Sequence, residues 1–109
     1  MQLRYLTKIT LYKGNNIPQK NGELVLGYER INDYNVQIQN IEDDVSASIY
    51  GSNINKMLRL RSPNKVLENY LIPKVNNKAD NISKYYIGYE DSMYRISAVN
   101  IARIDIERI

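Results

Sequence analysis

Apolar and polar residues alternate with a period of two along most of this 109-residue chain. Because successive side chains of a β-strand point to opposite faces of its sheet, this alternation is typical of strands with one buried and one wet face. It predicts seven strands, at residues 4–12, 23–31, 34–39, 56–61, 85–89, 94–98 and 103–107. The expected fold class is mainly β: a small antiparallel β-barrel or sandwich, forming a single domain over residues 1–109.

The alternation also assigns side chains to faces. In the fourth strand it places Leu58 and Leu60 inward, and Met57, Arg59 and Arg61 outward on a wet face. The apolar sets that share one face in the other strands are Ile9 with Leu11, Tyr34 with Val36 and Ile38, Tyr85 with Ile87 and Tyr89, Tyr94 with Ile96, and Ile104 with Ile106. The polar stretches between strands predict a wide turn over residues 13–22 and a break at Asn32-Asp33.

Two long excursions interrupt the strand pattern. Residues 41–55 carry Ile41, Val45 and Ile49 at helical spacing, with Gly51 as a stop signal, which predicts two helical turns or, alternatively, a long mobile loop. Residues 62–81 open with Ser62 as a cap and Pro63 at the first helical position. This second pattern predicts a short helix over residues 65–71, ended by Pro73.

The residue types that serve catalysis are scarce. The chain contains no His and no Cys, which removes thiol nucleophiles, imidazole bases and the usual ligands of zinc. Its one dense acidic cluster, Glu42–Asp44, lacks calcium-loop spacing and is interpreted as the solvated first turn of a helix. We therefore expect no enzyme, no catalytic or metal site, and no cofactor.

The net charge is +3 at neutral pH, without a dense run of Lys and Arg. The strongest candidate for contact with nucleic acid is the basic side of the fourth strand: Lys56, Arg59 and Arg61. These cations suit weak, sequence-blind contact with phosphates better than specific recognition. Charges interrupt every apolar stretch near the N-terminus, so we expect no signal peptide, and no stretch approaches the ~18 apolar residues of a membrane span.

Several short segments stand out within this layout. They are Ile9-Thr10-Leu11-Tyr12-Lys13, the return through Gly27-Tyr28, Asn35-Val36-Gln37-Ile38-Gln39, Ile49-Tyr50-Gly51 within the first excursion, the basic strand after it, and the hairpin of residues 85–99 with Tyr94-Arg95-Ile96. In these segments and in the order of its strands, over most of its length, the chain resembles the head-closure (stopper) or head–tail connector proteins of long-tailed bacteriophages.

The resemblance implies a β-barrel that is made in the bacterial cytoplasm and forms a homo-oligomeric ring, commonly of about twelve copies, in the virion. The ring would lie beneath the portal and adaptor proteins, close the DNA channel after packaging, touch the packaged DNA non-specifically, and dock the tail proteins. By position, the lumen loop or plug would comprise Asp43, Asp44, Ser46, Ser48, Tyr50, Gly51 and Asn53. The basic residues near DNA or an interface would be Lys56, Arg59 and Arg61, and the candidate ring contacts Tyr70, Arg103, Asp105 and Glu107.

Two other kinds of protein stay open at this point. A tail-terminator or tail-completion protein of the virion more often has a mixed α/β fold, so a helix longer than three turns would favour it. A free-standing β-barrel that binds nucleic acid would instead bind DNA tightly as a monomer, in a salt-sensitive way.

Overall fold

The structure is a computed structural model that describes residues 5–109, apart from the side chains of residues 16–18. Its strands are β1 (Thr7–Pro18), β2 (Leu24–Asn40), β3 (Met57–Arg61), β4 (Tyr85–Tyr89), β5 (Ser92–Val99) and β6 (Ile104–Arg108). The α-helices are α1 (Asp44–Tyr50) and α2 (Val66–Leu71), and short 3-10 helices lie at Gly51–Lys56, Pro63–Lys65, Ile72–Lys74 and Ile82–Lys84. Among the described residues, no helix is long and apolar enough to cross a membrane.

The six strands close into an antiparallel barrel in the order β1-β2-β3-β6-β5-β4. Alternate side chains of the strands fill the interior, and α2 adds Leu67 and Leu71 to it. The strand residues of the core are Ile9, Leu11, Val36, Leu60, Tyr85, Ile87, Tyr94, Ile104 and Ile106. Closure pairs the edges that an open sheet of these strands would expose. The mainly-β fold class is confirmed, and the barrel rather than the sandwich is its architecture.

β2 is one continuous strand of 17 residues, so the predicted break at Asn32-Asp33 is wrong. This break is why the sequence predicts seven strands where the structure has six. The pairing of β2 with β1 shifts register between Leu11 and Tyr12, and β2 holds one extra residue there. Such a bulge bends a strand without ending it. Asp33 stays in the strand because its carboxylate accepts a hydrogen bond from Thr10 Oγ1 on β1, at 2.8 Å.

Beyond the barrel, β1 and β2 continue as a two-stranded ribbon, residues 14–29, which we call the arm. β1 pairs with β4 only as far as Lys13, and β2 pairs with β3 only from Gln37 onward. The pairing of β1 with β2 nevertheless continues outward to Pro18 and Leu24. The arm lengthens the molecule, whose principal extents are 55 × 29 × 29 Å.

The wide turn predicted over residues 13–22 is therefore wrong, because strand pairing continues to Pro18. The actual turn occupies residues 19–23, where the Gln19 amide donates to the Glu23 carbonyl at 2.8 Å. Gly22 has φ 85°, a left-handed conformation that glycine adopts without strain. Arg4, where the first strand is predicted to begin, lies outside the described residues; the described strand begins at Thr7.

Three tyrosines join the arm to the outer wall of the barrel. The Tyr28 ring meets the Tyr86 ring edge to face at 5.1 Å, and its centroid lies 6.3 Å from that of Tyr12. Two glycines make room for these rings: a Cβ on Gly14 would approach the Tyr86 ring to 2.8 Å, and one on Gly88 the Tyr12 ring to 2.7 Å. Gly14, which lies in the predicted turn of residues 13–22, is thus a residue of β1 beneath the Tyr86 ring.

The first excursion contains α1, which confirms the helical interpretation of its apolar spacing. Asp43 caps the helix by accepting a hydrogen bond from the Ser46 amide at 2.8 Å, and Gly51 ends it with φ 60°. Val45 and Ile49, however, are each 71% exposed. Their helical period marks the outer face of α1, because polar side chains occupy the face toward the barrel.

The second excursion contains α2, within the predicted helix of residues 65–71. Leu67 and Leu71 are fully buried and enter the core from one end of the barrel. Ser62 Oγ accepts a hydrogen bond from the Leu67 amide at 3.1 Å and donates to the buried Glu68 carboxylate at 2.6 Å. This excursion therefore closes the barrel end with apolar side chains.

Candidate functional site

A buried ion pair lies on the outer face of the barrel, where β3 and β6 place Arg59 directly opposite Asp105. Arg59 Nε donates to Asp105 Oδ1 at 2.8 Å, and Arg59 Nη2 donates to Asp105 Oδ2 at 3.1 Å. Only 4% of Arg59 and 1% of Asp105 are exposed. A bidentate arginine–carboxylate pair combines a strong, charge-assisted interaction with a fixed geometry.

Three residues of the first excursion cover this pair. Arg59 Nη1 donates to Asp43 Oδ1 at 3.0 Å, Arg59 Nη2 donates to Ser46 Oγ at 3.0 Å, and Tyr50 OH donates to Asp105 Oδ2 at 2.7 Å. We call these five residues the arginine clamp. It fixes α1 to the outer face of the β3–β6 pair.

The clamp perturbs the acid–base properties of its members. Hydrogen bonds from Ser46, together with Arg59, hold the pKa of Asp43 well below its usual range. Burial, reinforced by the hydrogen bond to Asp105, raises the pKa of Tyr50 to about 12. The hydrogen bond to Asp105 raises the pKa of Arg59. The clamp therefore holds Asp43 as a carboxylate, Tyr50 as a neutral phenol and Arg59 as a cation across the ordinary pH range.

The candidate plug residues fall into two groups. Asp43, Ser46 and Tyr50 belong to the arginine clamp, so their polar groups are directed at the barrel wall. The other candidates, Asp44, Ser48, Gly51 and Asn53, are exposed and lie outside the clamp; Asp43 is exposed as well, although it belongs to the clamp. Residues 43–53 thus include both the side chains that attach the first excursion to the barrel and side chains that are exposed to solvent.

The three basic candidates also separate. The prediction that Met57 and Arg59 lie on a wet face is wrong, because both are buried. Arg59 points outward beneath the first excursion, and four of its five N–H groups have partners in the clamp. Lys56 is exposed. Arg61 is half-buried and lines an open groove of about 540 Å³ with Lys65 and Glu68.

The candidate ring contacts differ in accessibility in the same way. Asp105 is buried within its own chain by the arginine clamp. Arg103 Nε lies 4.0 Å from Asp105 Oδ2, and Glu107 Oε1 accepts a hydrogen bond from the exposed Arg95 at 2.6 Å. Tyr70 is partly exposed and its ring lies 4.6 Å from Lys74 Nζ.

A second polar cluster, which the sequence reading did not identify, centres on Asp80. Its carboxylate accepts hydrogen bonds from Lys74 Nζ at 2.7 Å and from Tyr85 OH at 2.6 Å, and Lys13 Nζ lies 3.1 Å away. We call these four residues the aspartate clamp; it ties the second excursion to β1 and β4. Lys74, then Tyr85 and Lys13, lower the pKa of Asp80, and burial followed by Asp80 raises the pKa of Tyr85 to about 12. Lys74 and Tyr85 are six and five residues from Asp80 in the sequence, whereas Lys13 joins them only through the pairing of β1 with β4.

The arm borders an open groove of about 380 Å³, which we call the arm groove. Its apolar surface comes from Leu26 and Tyr86, and its basic groups are Lys13 and Lys84. Gly14, Asn15 and Ser83 complete its lining. Along the same ribbon the apolar residues Leu24, Val25, Leu26 and Tyr28 are all exposed. The sequence predicts a strand at residues 23–31 but not this surface, because apolar residues in a strand are expected to face the core.

The charged side chains of the two clamps lie in hydrogen-bonded networks. Among the described residues, no three carboxylates converge as metal ligands, and each buried side-chain nitrogen or oxygen has a hydrogen-bond partner. Each clamp is a hydrogen-bonded network of charged and polar side chains that positions a backbone segment. The chain matches no protein-family model, no curated protein and no solved structure.

Proposed function

We propose that this chain is a structural subunit of a bacteriophage head–tail connector, forming a ring beneath the portal or adaptor that closes the DNA channel after packaging and docks the tail. The observation that carries the proposal is the arm: a ribbon that leaves a closed barrel with four large apolar side chains exposed. An isolated two-stranded ribbon is marginal in water, and apolar residues concentrated on one projecting element are typical of a protein–protein contact.

The two clamps support a role as a rigid building block. Each ties one excursion to the barrel wall through a carboxylate with at least two side-chain donors. A rigid subunit assembles with little loss of conformational entropy, which makes modest contacts sufficient in a multi-subunit ring. For the first excursion, this anchoring supports a fixed lining of the channel better than a swinging plug.

Helix length favours this proposal over a tail-terminator or tail-completion protein. The latter would be supported by a helix of more than three turns, about eleven residues. Within residues 5–109, α1 has seven residues and α2 has six.

The state of the basic residues favours this proposal over a free-standing nucleic-acid-binding barrel. The guanidinium of Arg59 is bound within the arginine clamp and is not free to contact a phosphate. Of the two other basic candidates, Lys56 is exposed and Arg61 is half-buried. Lys56 lines a small polar pocket with Arg108 at the end of β6. Two such cations suit sequence-blind contact with DNA that passes close by.

The test is to measure the mass of the purified protein alone and after mixing with packaged, tailless heads of the phage that carries its gene. We expect a ring bound to the heads and an arrest of DNA leakage. Heads that already bear tails are the matched control, because their connector surface is covered and should bind no further protein. A chain that ignores tailless heads yet shifts free DNA at low salt would contradict the proposal and favour the nucleic-acid-binding barrel.

A further inference from the structure

Two surfaces with exposed apolar side chains lie on opposite walls of the barrel. α1 is fixed by the arginine clamp over the seam between β3 and β6, with Val45 and Ile49 on its outer face. The arm groove lies beside the seam between β1 and β4, because Gly14 belongs to β1 and Tyr86 to β4. In the closed order β1-β2-β3-β6-β5-β4 these two seams are three strands apart, the largest separation that a six-stranded barrel allows.

We propose that α1 of one copy of this chain packs into the arm groove of the next copy, so that subunits join head to tail. Surfaces on opposite walls of one subunit cannot meet each other, whereas they can meet in succession along a series of identical subunits. A heterologous contact of this kind produces a ring when the rotation between neighbours closes. The inference rests on the proposed connector ring and specifies its subunit interface.

The charges of the two surfaces are complementary. Lys84 donates its described hydrogen bond to the neutral carbonyl of Ala79, at 3.1 Å, so no carboxylate neutralises it within the described residues. Lys13 shares the single carboxylate of Asp80 with Lys74. A second acid, Glu29, accepts a hydrogen bond from Asn15 in the groove lining at 3.1 Å. Three lysines (Lys13, Lys74 and Lys84) thus face two carboxylates (Asp80 and Glu29), which leaves the surroundings of the arm groove with an excess of positive charge beside the apolar Leu26 and Tyr86.

The opposing surface carries the negative charges. Asp44 is adjacent to Val45 at the start of α1, and Glu42 precedes it; both are exposed and neither forms an ion pair among the described residues. Val45 and Ile49 are one helical turn apart and offer two branched aliphatic side chains to a groove of about 380 Å³. An apolar contact flanked by opposite charges fixes both the partner and its orientation.

The experiment uses two variants of the full chain, each disabled on one surface. The groove variant is Leu26→Asp, and the helix variant combines Val45→Asp with Ile49→Asp. We expect wild type to assemble beyond a dimer, and each variant alone to stay at the monomer mass of 12.7 kDa, measured by light scattering after size exclusion. Mixed in equal amounts, they should form one intact contact, from α1 of the groove variant to the groove of the helix variant, and stop at about twice the monomer mass.

Circular dichroism and thermal melting establish that each variant is folded, and Val66→Asp is the matched control. Val66 is exposed on α2 and belongs neither to α1 nor to the lining of the arm groove, so this variant should assemble as wild type does. A charge test uses Lys84→Glu and Asp44→Lys, each of which should weaken assembly severalfold while the double variant regains it.

Each other outcome overturns the interface. Normal assembly of the helix variant with loss in the groove variant would mean that arms pair with arms. A mixture that stays monomeric, or a wild-type chain that stays monomeric at every concentration, would mean that another partner covers these surfaces. Binding to tailless heads is scored separately: rings that fail to bind heads contradict the connector function but leave the interface, and variants that still form rings on heads contradict only the interface.

Discussion

The two excursions of this barrel carry similar apolar helical spacing, yet they pack in opposite ways. α2 turns Leu67 and Leu71 into the core, where both are fully buried. α1 turns Val45 and Ile49 to the outside and directs Ser46 and Tyr50 at a buried ion pair. The apolar period of a short helix therefore identifies a helix without identifying the face that packs. The part of the barrel that each helix contacts determines which face packs. Leucines pack where the helix covers the apolar core, and hydrogen-bonding side chains pack where the helix covers Arg59 and Asp105.

The largest effect should come from breaking the polar anchor of the first excursion. Asp105→Ala leaves Arg59 buried without its main carboxylate, and the loss of one partner of a buried pair costs about 3–5 kcal/mol. We expect that decrease in the free energy of unfolding, measured by urea denaturation. Hydrogen exchange at α1 amides should accelerate more than at α2 amides.

The matched control for this change is Glu107→Ala, two residues further along β6. Glu107 pairs with Arg95, whose side chain is 61% exposed, and a surface pair of this kind contributes about 0.2–1 kcal/mol. Equal losses for Asp105→Ala and Glu107→Ala would show that the clamp does not stabilise the first excursion.

The apolar anchor of the second excursion is broken by Leu71→Ala. Removal of a buried leucine side chain typically costs about 2–5 kcal/mol, because apolar contacts are lost and a cavity remains. We expect a loss in this range by urea denaturation, with α2 amides affected more than α1 amides. Val66→Ala on the same helix is the control and should stay within about 0.5 kcal/mol, since Val66 is largely exposed.

Low and high pH should both reduce the stability of the folded chain, because each clamp contains an aspartate and a tyrosine with shifted pKa values. Asp43 and Asp80 have lowered pKa values, so their stabilisation is complete above the ordinary value of 3.8 and is lost as the pH falls below it. Tyr50 and Tyr85 have pKa values raised from 10.0 to about 12, so their stabilisation is complete below pH 10 and is lost as the pH rises toward 12. The melting temperature should be level between these limits and fall on both sides.

Substitution of the two titrating residues of the aspartate clamp measures how much of this pH dependence the aspartate clamp contributes. In Asp80→Asn with Tyr85→Phe, the melting temperature should be lower at neutral pH and should decline less steeply at both extremes. An unchanged profile would mean that these two groups titrate alike in the folded and unfolded chains.

The smallest effect on the isolated chain should come from the outer face of α1. Val45→Lys combined with Ile49→Lys should change the free energy of unfolding by no more than about 0.5 kcal/mol, because both side chains are exposed in the monomer. Chemical denaturation of dilute, monomeric protein checks this. A loss of 2 kcal/mol or more would mean that these side chains pack within their own chain, and the comparison with α2 would fail.

Periodicity predicts the barrel well because the core residues of its strands lie on the predicted faces, as with Ile104 and Ile106. It fails where a polar residue is satisfied locally, as Asp33 is by Thr10 within a continuous strand. It also fails for the candidate site. Arg59 reads as a solvated cation because its partners Asp43 and Asp105 are 16 and 46 residues away, and only the register of β3 with β6 brings them together.

β2 is at once an edge of the arm, part of the barrel wall and the segment that leads into α1. Fully extended, its 17 residues span about 55 Å. In a ring built through the arm groove and α1, the surface that receives one neighbour is therefore tied to the surface offered to the other by a single uninterrupted length of backbone. In such a ring, a force that pushes the subunits outward would be carried as tension along β2 within each subunit, and through the contact between the arm groove and α1 from each subunit to the next.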